Sequence, residues 1–224
     1  MREIVLDTET TGLDPAAGHR IVEIAGLELV NHVETGAQFQ RYINPQRDMP
    51  EEAFRIHGLS QDFLSGFPPF AEIAEEFLAF IGDATLVIHN AEFDMKFLNA
   101  ELALLGRPAL DKARAVDTVA IARRKFPGSQ VSLDALCRRF EIDNSQRTLH
   151  GALLDTQLLA EVYLELIGGR QPGLELSERR SAQSEGPRPA ASVARPPRPH
   201  APSDEELRAH EAMLARLKDP VWLN

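Results

Sequence analysis

Cysteine occurs once in the 224 residues, at Cys137, which excludes a disulfide framework and any zinc cluster built on cysteine. Tryptophan is equally scarce, with Trp222 alone near the end of the chain. No stretch approaches the roughly 20 consecutive apolar residues of a membrane span. The opening Met1-Arg2-Glu3 and the three apolar residues after it are too short for a secretory signal, so the expectation is a soluble, cytoplasmic protein with no membrane partner. Positive charge is in deficit: 24 Lys and Arg face 34 Asp and Glu, a formal net charge of -10. Such a chain cannot hold phosphates by bulk attraction. If it acts on nucleic acid, metal ions must bridge the like charges or a partner must deliver the substrate.

What the chain does have is 43% hydrophobic residues, enough for one good core with length to spare. Strand-like runs come first, at Glu3–Leu6, Arg20–Asn31 and Gln38–Ile43, with "ETG" at Glu34–Gly36 expected to turn between the last two. "PFAEIAEEFLAFIG" has helical periodicity after a proline start. Thr85–His89 reads as a buried strand, Phe93–Leu105 as a helix and Arg114–Val116 as a short strand; Val119–Lys125, Leu133–Phe140 and Ala152–Ile167 read as helices. A meander followed by alternating helices and strands predicts an α/β fold, a mixed sheet with helices on both faces.

Composition shifts after Gly168-Gly169. Seven of the fifteen prolines fall between Arg170 and Pro202, where six arginines against three glutamates leave a net charge of +3. That composition predicts an extended, disordered linker. The expected organisation is therefore a globular domain over 1–169, a linker over 170–202 and an ordered end over 203–224. In that end, Ser203 with Glu206 fits a capping box, and Leu207, Met213, Leu214 and Leu217 form one apolar stripe at helical spacing. A lone helix of this length is marginal in water, so the stripe and Trp222 read as a segment that docks on a partner.

The chemistry starts at "IVLDTETTGLD", where a run that reads as a core strand ends in two carboxylates. Asp7 and Glu9 are two apart, so both side chains share one face. In "VIHNAEFD" a second buried strand ends and Asp94 follows in the first turn of the next helix. In "LHGALLD" Asp155 lies within a helix, with His150 before or at its start. On one regular helix those two would stand about 140° apart, so they converge only if His150 sits on the preceding loop. A single such Asp is more often a helix cap or a surface charge. The set, with a same-face pair on a core strand, suits Mg²⁺ or Mn²⁺ rather than zinc. Two such ions about 3.5–4 Å apart can clamp the attacking and leaving oxygens of a phosphoryl displacement.

At this point the sequence resembles a known family. "DTET" at Asp7–Thr10, "HNAEFD" at His89–Asp94 and "HGALLD" at His150–Asp155 look like the three motifs of DEDDh 3′→5′ exonucleases. The resemblance implies a ribonuclease-H-like fold and hydrolysis that releases nucleoside 5′-monophosphates. It implies Asp7, Glu9, Asp94 and Asp155 as ligands of two Mg²⁺ or Mn²⁺ ions, and His150 as the general base that activates the attacking water. A sister subfamily carries a tyrosine four residues before its last aspartate; Gly151 stands there, which indicates the histidine version. Glu52 and His57, in "EEAFRIHGL", match the family's substrate-side loop and are implied, with Glu9 and Asp155, to face the terminal nucleotide. Thr10, Thr11 and Gly12 are expected to offer backbone N–H groups to the 3′ end. His89 reads as a core residue or a support of the site, and Asp117 as structural.

Residues 126–166, from "FPGSQVSLDALCRRF" to "LLAEVYLEL", resemble more narrowly the epsilon proofreading subunits of bacterial DNA polymerase III, as does the plan of linker and C-terminal helix. That resemblance implies frayed or single-stranded DNA 3′ ends as substrate and binding of the polymerase alpha subunit through about Ser203–Asn224. "QPGLEL" resembles a sliding-clamp docking motif through Gln171, Leu174 and Leu176, the last standing where an aromatic is frequent. Two other readings share these residues: a free-standing RNA or oligonucleotide exonuclease, and an inactive scaffold bridging polymerase and clamp. The tail speaks against the first, and the intact set of carboxylates with His150 against the second.

Overall fold

A computed structural model of the chain describes residues 1–168 and 202–216. The expected linker lies outside them apart from Pro202, and with it Gln171, Leu174 and Leu176; Leu217 and Trp222 lie outside them as well. The first described segment is built on five strands, β1 (Arg2–Thr10), β2 (Ile21–Val30), β3 (Val33–Tyr42), β4 (Thr85–Ile88) and β5 (Ala115–Asp117). Their order is β3-β2-β1-β4-β5. β1, β2 and β3 pair antiparallel, while β4 joins β1 and β5 joins β4 in parallel. Seven helices accompany them: α1 (Glu51–His57), α2 (Gln61–Leu64), α3 (Phe70–Ile81), α4 (Ala91–Leu104), α5 (Thr118–Lys125), α6 (Leu133–Phe140) and α7 (Ala152–Ile167). This is the expected mixed sheet between helices, the ribonuclease-H-like exonuclease fold.

Alternation along β1 divides the core. Ile4 and Leu6 join Ile24, Phe39 and Ile88 against Phe70, Phe77, Phe97 and Leu98 of α3 and α4. Val5 joins Leu27, Leu29 and Val87 against Leu136, Cys137, Leu159 and Val162 of α6 and α7. A strand buried on both faces has no room for an unpaired charge, so Asp7 and Glu9 come only where β1 runs out of cover.

The hairpin differs from the expectation. β2 and β3 are joined by Asn31 and His32, both with positive φ (52° and 66°), the backbone of a two-residue I′ turn. Asn31 tolerates that conformation, and it is also tied down: its amide donates to the Met1 carbonyl at 2.9 Å and its Oδ1 accepts from the terminal ammonium at 2.6 Å. Glu34–Gly36 instead lie within β3, where the register against β2 shifts and Gly36 takes φ 85°. The glycine marks a bulge there, not the turn.

The second segment is the helix α8 (Asp204–Leu214), with the expected capping box in place: Ser203 Oγ accepts from the Glu206 amide, and the Glu206 carboxylate accepts from the Ser203 amide at 2.8 Å. Leu207 and Met213 are exposed on it and Leu214 is half-buried.

Candidate active site

The parallel pair β1 and β4 ends on the same side, and the carboxylates gather at that end. Asp7 and Glu9 project from one face of β1. Directly after β4, Asn90 turns the chain with a left-handed backbone (φ 69°), so α4 starts at once and Asp94 falls in its first turn. Asp117 braces the turn by accepting from the Asn90 amide at 3.2 Å, and caps α5 by accepting from Val119 at 2.9 Å, a structural role. Thr8, facing the opposite way from Asp7 and Glu9, donates its hydroxyl to Asp94 Oδ1 at 2.7 Å. Asp155 lies in the first turn of α7, with His150 off the helix two residues before its start. The His150 amide donates to the Ile56 carbonyl at 3.0 Å, which fastens the loop to α1.

Crowding shapes the charges. Burial, then the carboxylates of Asp94 and Glu9, holds Asp7 well above the usual carboxylate range. Glu9 is pushed up to about 8 by burial and by Asp155 and Glu23. Asp94 is pushed up to about 7 by burial, against the pull of the Thr8 hydroxyl bond. Asp155 goes the other way: burial is the largest influence and would raise it, but the hydrogen bonds and positive charge of Arg147, together with the neighbouring His150, outweigh that and hold it low. Glu9, Asp94 and Asp155 are buried, and Asp7 opens slightly to the cleft. An oxygen-rich cluster in which Asp7, Glu9 and Asp94 resist ionisation beside an ionised Asp155 is a place where hard divalent cations lower the free energy. Single ligand atoms of Glu9, His150 and Asp155 lie within 4.8 Å of one another, close enough to share one ion. The residues present fit the implied metal.

Two groups at the site went unread in the sequence. Arg147, with its side chain 8% exposed, places Nε and Nη2 on the two oxygens of Asp155 at 2.6 and 2.7 Å. Its Nη1 donates to Asp134 at 2.9 Å, and Nη2 also lies 2.9 Å from His150 Nδ1. That nitrogen is 3.4 Å from Asp155 Oδ2, and it cannot both accept from Arg147 and donate to Asp155. The shorter contact decides, because a guanidinium has nothing to accept with. The second group is Glu23 of β2, opposite Glu9 in the ladder. It accepts from Gln40 at 2.7 Å and from the amide of Ala152 at 3.1 Å, so a buried carboxylate caps α7 where Gly151 brings no side chain. A signal for Glu23 was present, a lone carboxylate in the apolar run "IVEIAG".

The carboxylates, His89, Arg147 and His150 line a cleft of about 260 Å³. A larger one, about 460 Å³, shares Thr8, Glu9 and Phe93 with it and continues along Thr10, Thr11, Gly12, Glu52 and His57. His57 ends α1 as a buried side chain, and Glu52 is exposed one turn earlier. His57 Nδ1 accepts from the Leu59 amide at 3.0 Å, which leaves the proton on Nε2. That Nε2 is buried and makes no hydrogen bond of good geometry among the described residues, although the Thr10 carbonyl lies close enough to pull on its proton. Burial also lowers the His57 pKa and keeps the ring neutral. The Thr11 amide departs from expectation: it donates to the Arg20 carbonyl at 2.9 Å and is spent inside the fold. His89 stands one residue past β4, its Nδ1 2.9 Å from the Thr118 hydroxyl.

An exonuclease family model matches residues 4–163. DNA polymerase III subunit epsilon of Rickettsia conorii is 52% identical over 227 aligned residues, 97% of this chain and 96% of that one. The Escherichia coli protein of the same name is 47% identical, over 95% and 92% of the two chains. Among solved structures, the nuclease domain of 3′hExo, a DEDDh family member, superposes with a TM-score of 0.65 at 20% identity, covering 74% of this chain and 91% of that one. Exonuclease X in complex with 5′-overhanging duplex DNA gives 0.58 at 24% identity, over 74% and 90%. At those identities the structures speak for the fold, while the near full-length relatives speak for the branch. The chain belongs to the exonuclease family, in the branch of bacterial DNA polymerase III epsilon subunits, the 3′→5′ proofreading exonucleases.

Proposed function

We propose that Asp7, Glu9, Asp94 and Asp155 hold two divalent cations, Mg²⁺ or Mn²⁺, and that His150 is the general base for hydrolysis of the 3′-terminal phosphodiester of DNA. The convergence of these carboxylates with one loop histidine in a single cleft carries the reading. Bound cations supply Lewis acidity and neutralise the charge that develops on the phosphoryl oxygens. The chain's own groups do the rest. A nitrogen of His150 takes the proton of the attacking water, and the penultimate nucleotide's 3′ oxygen leaves, releasing a nucleoside 5′-monophosphate. His57, whose buried Nε2–H has only a poorly aligned acceptor in the Thr10 carbonyl, donates to the terminal nucleotide, and Glu52 and Thr10 complete that wall. The two clefts together suit a single-stranded end, and a mismatched terminus is cheaper to unpair than a matched one.

The rest of the chain fits delivery by a partner. We assign residues 203–224 to docking on the polymerase alpha subunit, with Leu207, Met213 and Leu214 on α8 and Leu217 and Trp222 beyond it. Gln171, Leu174 and Leu176 are assigned to the sliding clamp, and 170–202 to a tether. An acidic enzyme with weak intrinsic hold on DNA gains an effective concentration on the order of millimolar when tethered beside the primer end. This work belongs in the cytoplasm, with the replication machinery.

The test uses 5′-labelled DNA and RNA oligonucleotides of one sequence with Mg²⁺, wild type beside Asp7→Ala. Stepwise shortening of DNA from its 3′ end, abolished in the variant, supports the assignment. Preference for RNA would shift the substrate class, and cleavage that survives Asp7→Ala would remove the metal role of Asp7.

A further inference from the structure

The guanidinium of Arg147 sits where it blocks the groups that the reaction needs. Its Nε and Nη2 cover both oxygens of Asp155, at 2.6 and 2.7 Å. Nη2 also lies 2.9 Å from His150 Nδ1. A neutral imidazole has one lone pair, and a guanidinium can only donate, so the contact puts that lone pair on Nδ1 and spends it there. A histidine so engaged has no nitrogen free to take a proton from water. Asp134, outside the carboxylate ring and 42% exposed in its side chain, holds the third nitrogen at 2.9 Å and keeps the fork oriented.

We propose that Arg147 is a resident counter-cation that latches the metal-free site, occupying Asp155 and His150 together and releasing both when a divalent ion takes its place. The inference rests on the metal reading of Asp7, Glu9, Asp94 and Asp155 given above. The buried carboxylate of Asp155 needs a positive partner, and a chain that supplies its own is stable before the ion arrives. The Arg147 guanidinium would give way to a divalent cation held by Asp155, because like charges that close repel. Arg147 lies three residues before His150 on the same loop, so its withdrawal frees the base at the moment the ion is seated. The latch thereby keeps the site silent until it is loaded.

The experiment is a calorimetric titration of Mn²⁺ into the full-length, metal-free chain, with melting temperatures in EDTA, for wild type, Arg147→Gln, Asp134→Asn and Asp7→Ala. Arg147→Gln is expected to bind Mn²⁺ about tenfold more tightly, the equivalent of about 1.4 kcal/mol, and to melt lower without metal. Asp134→Asn, which loosens the fork without touching the carboxylate ring, should move both quantities the same way by less. Unchanged or weaker Mn²⁺ binding by Arg147→Gln overturns the latch and makes Arg147 a side chain that steadies Asp155 for the ion. If that variant does not fold, Asp134→Asn decides by the same criterion. Asp7→Ala binding Mn²⁺ as wild type does would sink the metal reading itself, and the latch with it. A tight Asp7-dependent site unaffected by Arg147 would sink the latch alone.

Discussion

Like charges packed into a cleft give the individual residues their behaviour. Without metal, Glu9 keeps its proton up to about pH 8 and Asp94 up to about pH 7, whereas both release theirs near the ordinary carboxylate values in the unfolded chain. Between about pH 4.5 and 8 the folded state therefore binds more protons than the unfolded one, and stability falls as pH rises. The melting temperature in EDTA should decline across that window, and saturating Mg²⁺, which favours the ionised carboxylates, should flatten or reverse the slope. Asp155 works in the opposite sense at the acid end: its lowered pKa gives stability that is lost as pH falls below the unfolded value of about 3.9. For His150, the role of base and the role of ligand are separable. His150→Gln should lower kcat by about 10²–10⁴ while leaving Mn²⁺ binding nearly unchanged. A collapse of Mn²⁺ affinity in that variant would instead make His150 a ligand, as its closeness to Glu9 and Asp155 allows.

At the scale of elements, the position of Asp155 depends on how α7 is pinned. Tyr163 donates its hydroxyl to the buried Glu3 at 2.7 Å near the far end of the helix, and Glu23 caps the near end at Ala152. Glu23→Ala leaves the Ala152 amide buried without its acceptor, at a cost of about 1–3 kcal/mol in urea unfolding. Activity should fall too, because Asp155 is three residues further along the same helix. The His150 loop is held from the other side by α1. Gly58 ends that helix with φ 74°, and a Cβ there would stand 2.7 Å from the Leu149 side chain. Leucine tips can yield, so the backbone conformation decides: Gly58→Ala should cost about 1–2 kcal/mol and loosen the loop that carries the base. Thermal unfolding and single-turnover hydrolysis would read both effects.

Across the whole molecule, the residues proposed for catalysis and those proposed for docking fall on different stretches of chain. All four carboxylates, His150, Arg147 and Glu23 fall within the first described segment, residues 1–168. A chain ending at Glu175 should hydrolyse free single-stranded DNA as the full chain does. The same truncation, or a shortened 170–202, should reduce removal of mismatches in the assembled polymerase. Equal losses in both assays would count against the tether. Since 170–202 carries a net +3, the acidic excess sits on the other two parts, consistent with an enzyme brought to DNA by a partner.

The sequence by itself located most of the elements and the candidate groups: periodicity placed the strands and the longer helices, though not α1 and α2, and the resemblance carried by "DTET", "HNAEFD" and "HGALLD" singled out the carboxylates and His150 as candidates. Those signals are local, set by neighbours a few residues away. Only the tertiary structure decided the hairpin, where two left-handed residues, Asn31 tied to Met1 and His32 after it, displaced the turn expected at Glu34–Gly36. It alone revealed Glu23 as the cap of a helix 129 positions further along the chain. It alone closed Arg147 over Asp155 and His150, since a guanidinium at the end of a long side chain finds its partners by packing rather than by sequence spacing. Hydrogen bonds and charges act through space, and folding is what makes those distances short.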